Sequence, residues 1–255
     1  YLPQQVLTND DLADRVETSD AWIVERTGIR ERHIAAEGEM TSDLAREAAQ
    51  AALRAAGLDA TGIDLLVVAT STPDNTFPAT ATRVQAQLGM TGGAAFDIQA
   101  VCAGFVFGLA TADNFIKAGQ ADTALVVGAE CFSRILDWED RTTCVLFGDG
   151  AGAVVMEAST AGDGVLAHDL GADGAQGKTM VFPTLGTRGE ILRQRDPSID
   201  RLHFEGQNVF KIAVRGMESS VRRALERADI SPEDVNLVVP HQANLKPHGA
   251  IDRVR

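Results

Sequence analysis

The run Leu65-Leu-Val-Val-Ala69 is continuously apolar and largely β-branched, without the polar alternation of a strand that shows one face to water. Such a strand has to be covered on both faces. In a chain of 255 residues the architecture that does this is a mostly parallel sheet between layers of helices. ALVVGAE from Ala124 and AGAVVMEA from Ala151 read as further strands of this kind. Before the first strand, an Ala-rich stretch starting at Ser42 places Leu44, Ala48, Ala52 and Ala55 on one helical face. Ser42-Asp43 predicts its N-cap, and Gly57 predicts its end.

A second helix and strand follow from Val214 through ALERADISPEDVNLVVPH to His241. Laid without gaps at an offset of 172, Ala52-Leu53 falls on Ala224-Leu225, Leu58 on Ile230, Ile63 on Val235, Leu65 on Leu237 and Val67 on Val239. This internal repeat predicts two similar α/β halves, residues 1–160 and 161–255, with ligands held where the strand ends of the halves meet. The first half runs about a hundred residues past its LLVV strand, whereas the second ends soon after LVVP. The expectation is a second half that is abbreviated, or a chain that is a fragment. Tyr1 in place of Met points to a trimmed N-terminus.

Composition narrows the function. With 45% hydrophobic and 23% charged residues the chain is an ordinary globular protein. No apolar run approaches the ~20 residues that span a bilayer, and there is no basic start followed by an apolar stretch. We therefore expect a cytoplasmic protein with no membrane partner. A net charge of −13 argues against nucleic acid. Cys102, Cys131 and Cys144 are an odd number of widely spaced thiols, and the five histidines lack HxxxH spacing, so neither a disulfide framework nor a metal site is expected.

Cys102 lies between a strand-like stretch, FDIQA, and a helix-like one, AGFVFGLA. A cysteine in apolar surroundings is usually packing. One placed just before a helix instead feels unpaired N–H groups and the positive end of the helix dipole, which favour thiolate by roughly 0.3 to 2 kcal/mol. His241 in VVPHQAN closes a strand at Pro240 and reads either as a turn histidine or as the base such a thiol needs. FGDGAGA, Phe147–Ala153, lacks the Lys-Ser/Thr ending of a phosphate loop and reads as a tight hairpin turn. Trp22 and Arg141 offer an aromatic and a guanidinium plane that could hold a purine between them.

VCAGF, RTGIRERHIA, ALVVGAE, FGDGAGA, VFKIAV and VPHQANL occur together in the chain. With these motifs the whole chain resembles the β-ketoacyl-acyl-carrier-protein synthase III family, which starts bacterial fatty-acid synthesis and has the thiolase fold. The resemblance implies an acyltransferase with two pseudo-repeated α/β halves, helices packed around mixed sheets and the second half incomplete. Cys102 would take an acetyl group from acetyl-CoA. His241 would stabilise the enolate formed as malonyl on acyl carrier protein loses CO2, and that carbanion would attack the acyl-Cys thioester. By the same resemblance Trp22 and Arg141 stack on the adenine of CoA, Thr18 and Arg26 help hold the nucleotide, and Asn244 sits near the pantetheine arm. Phe77 in NTFPAT lines the acyl pocket of the other subunit of a homodimer. Acyl-CoA is a substrate, and no cofactor is bound permanently. Lys211, Arg215 and Arg222, at i, i+4 and i+11 of one helix, and Lys246 form the face that docks the acidic carrier.

The family's GNTS motif and its glycine-rich C-terminal strand are absent, and Pro247 and Gly249 interrupt the helix expected after HQANL. The family's first core strand should precede YLPQQVLTNDDL. Loss of an oxyanion-hole donor of the kind that strand supplies costs about a hundred- to a thousandfold in rate. These departures imply weak activity, or none, for this chain alone. They also keep open a non-decarboxylating acyltransferase of secondary metabolism, or a catalytically impaired partner subunit or fragment of the same fold.

Overall fold

The computed structural model describes residues 1–183 and 201–243. Its elements are β1 (Gln5–Thr8), α1 (Asn9–Ala13), α2 (Asp20–Thr27), β2 (Glu31–Ile34), α3 (Thr41–Ala56), β3 (Leu65–Ala69), α4 (Thr80–Leu88), β4 (Ala94–Ile98), α5 (Gly104–Lys117), β5 (Thr123–Cys131), β6 (Asp149–Glu157), β7 (Met180–Val181), β8 (His203–Phe204) and α6 (Gly206–Ala228). β1 pairs with β2. The chain divides into two compact units. One comprises residues 1–6, 33–133 and 148–165, and the other residues 7–32, 134–147 and 166–255.

The first unit is built on a four-stranded sheet in the order β4-β3-β5-β6. β3 runs parallel to β4 and β5, and β6 is antiparallel to β5. β3 is buried along its whole length, as its unbroken apolar composition requires. Leu66 and Val68 face α3 and α4 together with Leu125 and Val127 of β5. Leu65 and Val67 face α5 on the other side, where Leu109, Ala112 and Ile116 pack.

α5 meets β3 and β5 through glycine. A Cβ at Gly108 would stand 2.9 Å from Val126 Cγ1, and one at Gly104 would stand 3.1 Å from Ala69 Cβ. Side chains at these two positions would force the helix outward.

Two expectations change here. The N-cap of α3 is Met40, and Ser42 lies inside the helix. The Asp43 carboxylate reaches back to accept from Met40 N at 2.9 Å, while Asp74 Oδ1 accepts from Ser42 N at 3.0 Å. FGDGAGA is not a turn, because from Asp149 onward it is β6 itself, with Gly152 opposite Gly128 and Gly150 opposite Glu130. The buried Asp149 carboxylate anchors the start of β6, accepting from Ala35 N at 2.7 Å, Ser133 N at 2.8 Å and Ser133 Oγ at 2.7 Å.

The second unit contains α1, α2, the β7–β8 pair and α6. α6 is tethered by Asp169, whose carboxylate accepts from Arg223 Nη2 at 2.7 Å and Ser220 Oγ at 2.8 Å. The Arg223 hydrogen bond is the main reason that this carboxyl sits at about 2.

The internal repeat has a geometric counterpart within each unit. α3 ends at Gly57 with φ 69°, and α6 ends at Asp229, the equivalent position, with φ 55°. Leu58 N donates to Leu53 O at 3.0 Å, and Ile230 N to Leu225 O at 3.1 Å. A 3-10 turn follows at Ala60–Gly62 and at Pro232–Asp234, capped by the Asp59 and Ser231 side chains. The likeness stops at the strand. VNLVVP pairs with no strand among the described residues, and Leu237 and Val239 are 76% and 77% exposed where Leu65 and Val67 are fully buried. Among the described residues VNLVVP therefore forms no buried strand, and no described strand bonds its backbone.

Candidate active site

Parallel strands bring their C-terminal ends to one edge of a sheet. Ile98 of β4 and Gly128 of β5 both stand in register with Ala69 of β3. Just beyond that edge the chain places Cys102, the segment Thr70–Thr72, and Glu130.

Cys102 occupies a 3-10 turn, Val101–Ala103, that leads directly into α5, as its position before a helix predicted. Val101 has φ 47°, a left-handed conformation that costs a β-branched residue about 1–3 kcal/mol. The strain is confined to the residue before the thiol. Of the three free cysteines, Cys102 is exposed while Cys131 and Cys144 are buried.

The charge state of this thiol departs from the helix-dipole expectation. Protein atoms packed around the side of the thiol that does not face solvent, and secondarily the Glu130 carboxylate, push the Cys102 pKa up. Desolvation and a like charge outweigh the helix end.

Glu130 is the residue that sequence reading missed. It accepts from Ser71 N at 2.7 Å and from Thr72 Oγ1 at 2.6 Å, and burial raises its own pKa against those hydrogen bonds. Nothing in ALVVGAE marks its last residue as other than a strand end. A Glu130→Gln substitution keeps an acceptor for Ser71 and removes the charge. The pH midpoint for alkylation of Cys102 by iodoacetamide should then move to lower pH, yet stay above that of free cysteine because desolvation remains. An unchanged or raised midpoint would contradict this coupling.

Phe77 follows in the loop after β3 and is 83% exposed. α4, which begins beyond that loop, is fixed by Asp97 of β4, whose two carboxylate oxygens accept from Thr80 N and Ala81 N, each at 2.7 Å.

In the second unit, α2 and the segment 134–147 bring Trp22, Arg26 and Arg141 together. The Arg26 guanidinium lies 4.4 Å from the Trp22 ring centroid and that of Arg141 lies 5.4 Å from it. Arg141 Nη1 also donates to Glu17 O at 2.8 Å. A purine between Trp22 and Arg141 needs roughly 7 Å, two carbon contacts of about 3.5 Å, so Arg141 has to swing outward to admit one. Thr18 lies near this group in sequence. Its Oγ1 is buried and has no hydrogen-bond partner among the described residues.

His241 is exposed on one side, and the protein around it lowers its pKa, so the imidazole is neutral at pH 7. It belongs to the second unit and Cys102 to the first. Lys211, Arg215 and Arg222 are exposed on α6. Asn244 and Lys246 lie outside the described residues. Among the described residues no cluster of His, Cys, Asp or Glu is placed to hold a metal ion, and no helix is long and apolar enough to cross a membrane.

Comparison with known proteins gives a consistent family. Residues 96–174 match the model of 3-oxoacyl-[acyl-carrier-protein (ACP)] synthase III. The β-ketoacyl-[acyl-carrier-protein] synthase III of Rhodospirillum centenum is 59% identical over 248 residues, which are 96% of this chain and 75% of the relative. The crystal structure of the 3-oxoacyl-[acyl-carrier-protein] synthase III of Aquifex aeolicus superposes with a TM-score of 0.90 at 46% identity, covering 100% of this chain and 78% of that one. The Thermus thermophilus β-ketoacyl-[acyl-carrier-protein] synthase III structure gives 0.91 at 44% identity, covering 100% and 78%.

Proposed function

The chain belongs to the 3-oxoacyl-[acyl-carrier-protein] synthase III family, and from that membership we propose how its residues share out the reaction. It is the initiating condensing enzyme of fatty-acid synthesis, an acyltransferase with the thiolase fold that takes acyl-CoA as substrate and needs no resident cofactor. The observation that carries the assignment of the nucleophile is that Cys102 alone among the three thiols reaches solvent, at the turn between a parallel strand and the helix it feeds.

The Cys102 sulfur attacks the thioester carbonyl of acetyl-CoA. A new C–S bond forms, the bond to CoA breaks, and the thiol proton passes to the departing CoA sulfur. Malonyl on the carrier protein then loses CO2, and the electron pair of the broken C–C bond becomes an enolate. The neutral imidazole of His241 donates an N–H to that enolate oxygen. The enolate carbon attacks the acetyl-Cys carbonyl and gives 3-oxobutanoyl carrier protein. The Cys102 sulfur leaves as thiolate and takes a proton from water.

A raised thiol pKa suits this division. A thiol that is mostly protonated at rest resists oxidation and alkylation, and gives up its proton only as substrate engages. Trp22, Arg141, Arg26 and Thr18 hold the nucleotide end of CoA, and the unpartnered Thr18 hydroxyl supports that reading. The family resemblance gives Asn244 a role at the pantetheine arm. Lys211, Arg215 and Arg222 of α6 serve the acidic carrier as basic contacts, against the overall charge of −13, and the family resemblance adds Lys246 to them. A homodimer accounts for Phe77, an aromatic side chain left 83% exposed. The cytoplasm is its place of work, and the repeat supports reading 1–160 and 161–255 as its two related halves.

The test is intact-mass spectrometry with peptide mapping after incubation with acetyl-CoA, followed by addition of malonyl-acyl carrier protein. The expected result is one acetyl group on Cys102, discharged as 3-oxobutanoyl carrier protein. Discharge instead to an added amine or alcohol would replace the condensing reaction by simple acyl transfer. A label on another residue would overturn the assignment of the nucleophile.

A further inference from the structure

Arg32 is 3% exposed, and among the described residues no carboxylate stands against its charge. Its guanidinium donates through Nη1 to Asn9 Oδ1 at 2.6 Å and through Nη2 to Val145 O at 2.7 Å. Its Nε has no hydrogen-bond partner among the described residues, and burial lowers its pKa. Burying a guanidinium in this way is expensive, and its hydrogen-bond partners among the described residues are a neutral amide and a carbonyl.

The amide between them explains the arrangement. Asn9 is 1% exposed, and its Nδ2 donates to Asp20 Oδ1 and to Ile29 O, each at 2.8 Å, while its backbone N donates to Arg30 O at 3.2 Å. A cation on one side and a carboxylate on the other polarise one side-chain amide, so the Arg32 charge is answered through Asn9 by Asp20. Each member of the chain lies at a junction. Asp20 is the first residue of α2, which carries Trp22 and Arg26, and Val145 lies four residues beyond Arg141.

We infer that Arg32 and Asn9 are positioning residues for CoA: together they lock α2 against the segment 134–147 and so set the spacing between the Trp22 ring and the Arg141 guanidinium. The inference rests on the reading that this pair holds the adenine. The slot is narrower than a purine needs, so its width is adjustable from the Arg141 side only while α2 is held still. Loosening α2 would let the tryptophan drift and weaken recognition of the nucleotide, without touching the chemistry of the acyl group.

Asn9→Ala and the milder, surface-exposed Asp20→Ala test this on the full chain, with Trp22→Ala as the reference. The rate of Cys102 acetylation is measured against the concentration of acetyl-CoA and, separately, of S-acetyl-N-acetylcysteamine, a thioester with no nucleotide. Asn9→Ala is expected to raise the half-saturating acetyl-CoA concentration about tenfold and Asp20→Ala about threefold, with acetylation by the short thioester within twofold of the parent. If Trp22→Ala raises the acetyl-CoA value while Asn9→Ala and Asp20→Ala leave it unchanged, the adenine reading stands and the positioning role fails. If Trp22→Ala leaves it unchanged, the adenine reading itself fails, and the inference with it. Equal impairment with both thioesters in Asp20→Ala would make the network merely structural and overturn the proposal.

Discussion

A Cys102→Ala variant should take up no acetyl group from acetyl-CoA and should lose condensing activity by at least roughly ten-thousandfold, the order seen when a covalent nucleophile is removed from a working site. The effect is large because no neighbour can substitute. Cys131 and Cys144 are buried at 1% and 0% exposure, so neither thiol can reach a thioester carbonyl. Alanine keeps the Cβ and the backbone preferences of the turn, so the α5 start is expected to stand unchanged. Intact-mass spectrometry reads the first half-reaction, and formation of 3-oxobutanoyl carrier protein reads the whole. Retained acetylation in the variant would place the nucleophile elsewhere.

The second large effect separates the half-reactions. His241→Ala should form acetyl-Cys102 within about tenfold of the parent rate but condense it with malonyl carrier protein about a hundred to a thousand times more slowly, because the group lost is the donor to the enolate. The neutral state of His241 sets the pH dependence. Its pKa is held below the ordinary histidine value by burial. The condensation step should therefore keep its full rate through neutral pH and decline only in acid, once the imidazole takes a second proton. Single-turnover experiments with preformed acetyl-enzyme measure that step alone. A variant slowed equally in both half-reactions would assign His241 to acyl uptake as well.

The contrast between what could and could not be read from the sequence is physical. The buried strand β3 was legible because a strand covered on both faces cannot afford polar alternation, and Leu65 to Ala69 has none. The end of α3 was legible because Gly57 is the residue type that accepts φ 69°. The start of α3 is less legible, since Met40 holds the N-cap position, Asp74 accepts from the first-turn N–H of Ser42, and Asp43 accepts from Met40 N. FGDGAGA reads as a turn by composition. It is a strand because glycine faces glycine across the β5–β6 pair and Asp149 is held by three donors that come from distant positions in the chain.

The position of Cys102 at a turn between strand and helix is legible in the sequence, but the electrostatics of its thiol are not. Glu130 is 28 positions away in sequence, and only the shared register of β3, β4 and β5 gathers it and Cys102 beyond one sheet edge. Trp22 and Arg141 were paired by residue type alone, and the structure places them 5.4 Å apart. Asn9 gives no signal, because an asparagine at a helix start is a common feature, and nothing in RTGIRERHIA marks Arg32 as a buried residue.

The glycine at position 108 gives the thiol its address. Because α5 meets Val126 and Val67 at Gly108 with no side chain at that position, the sheet acts as a reference surface and the helix as a part clamped against it. The turn bearing Cys102 is the free end of that part. Its location is thus defined by a datum six residues away, with a tolerance smaller than a methyl group. Anyone moving this thiol into another scaffold would have to carry over the seat beneath the helix, since the residues touching the sulfur do not by themselves fix where it stands.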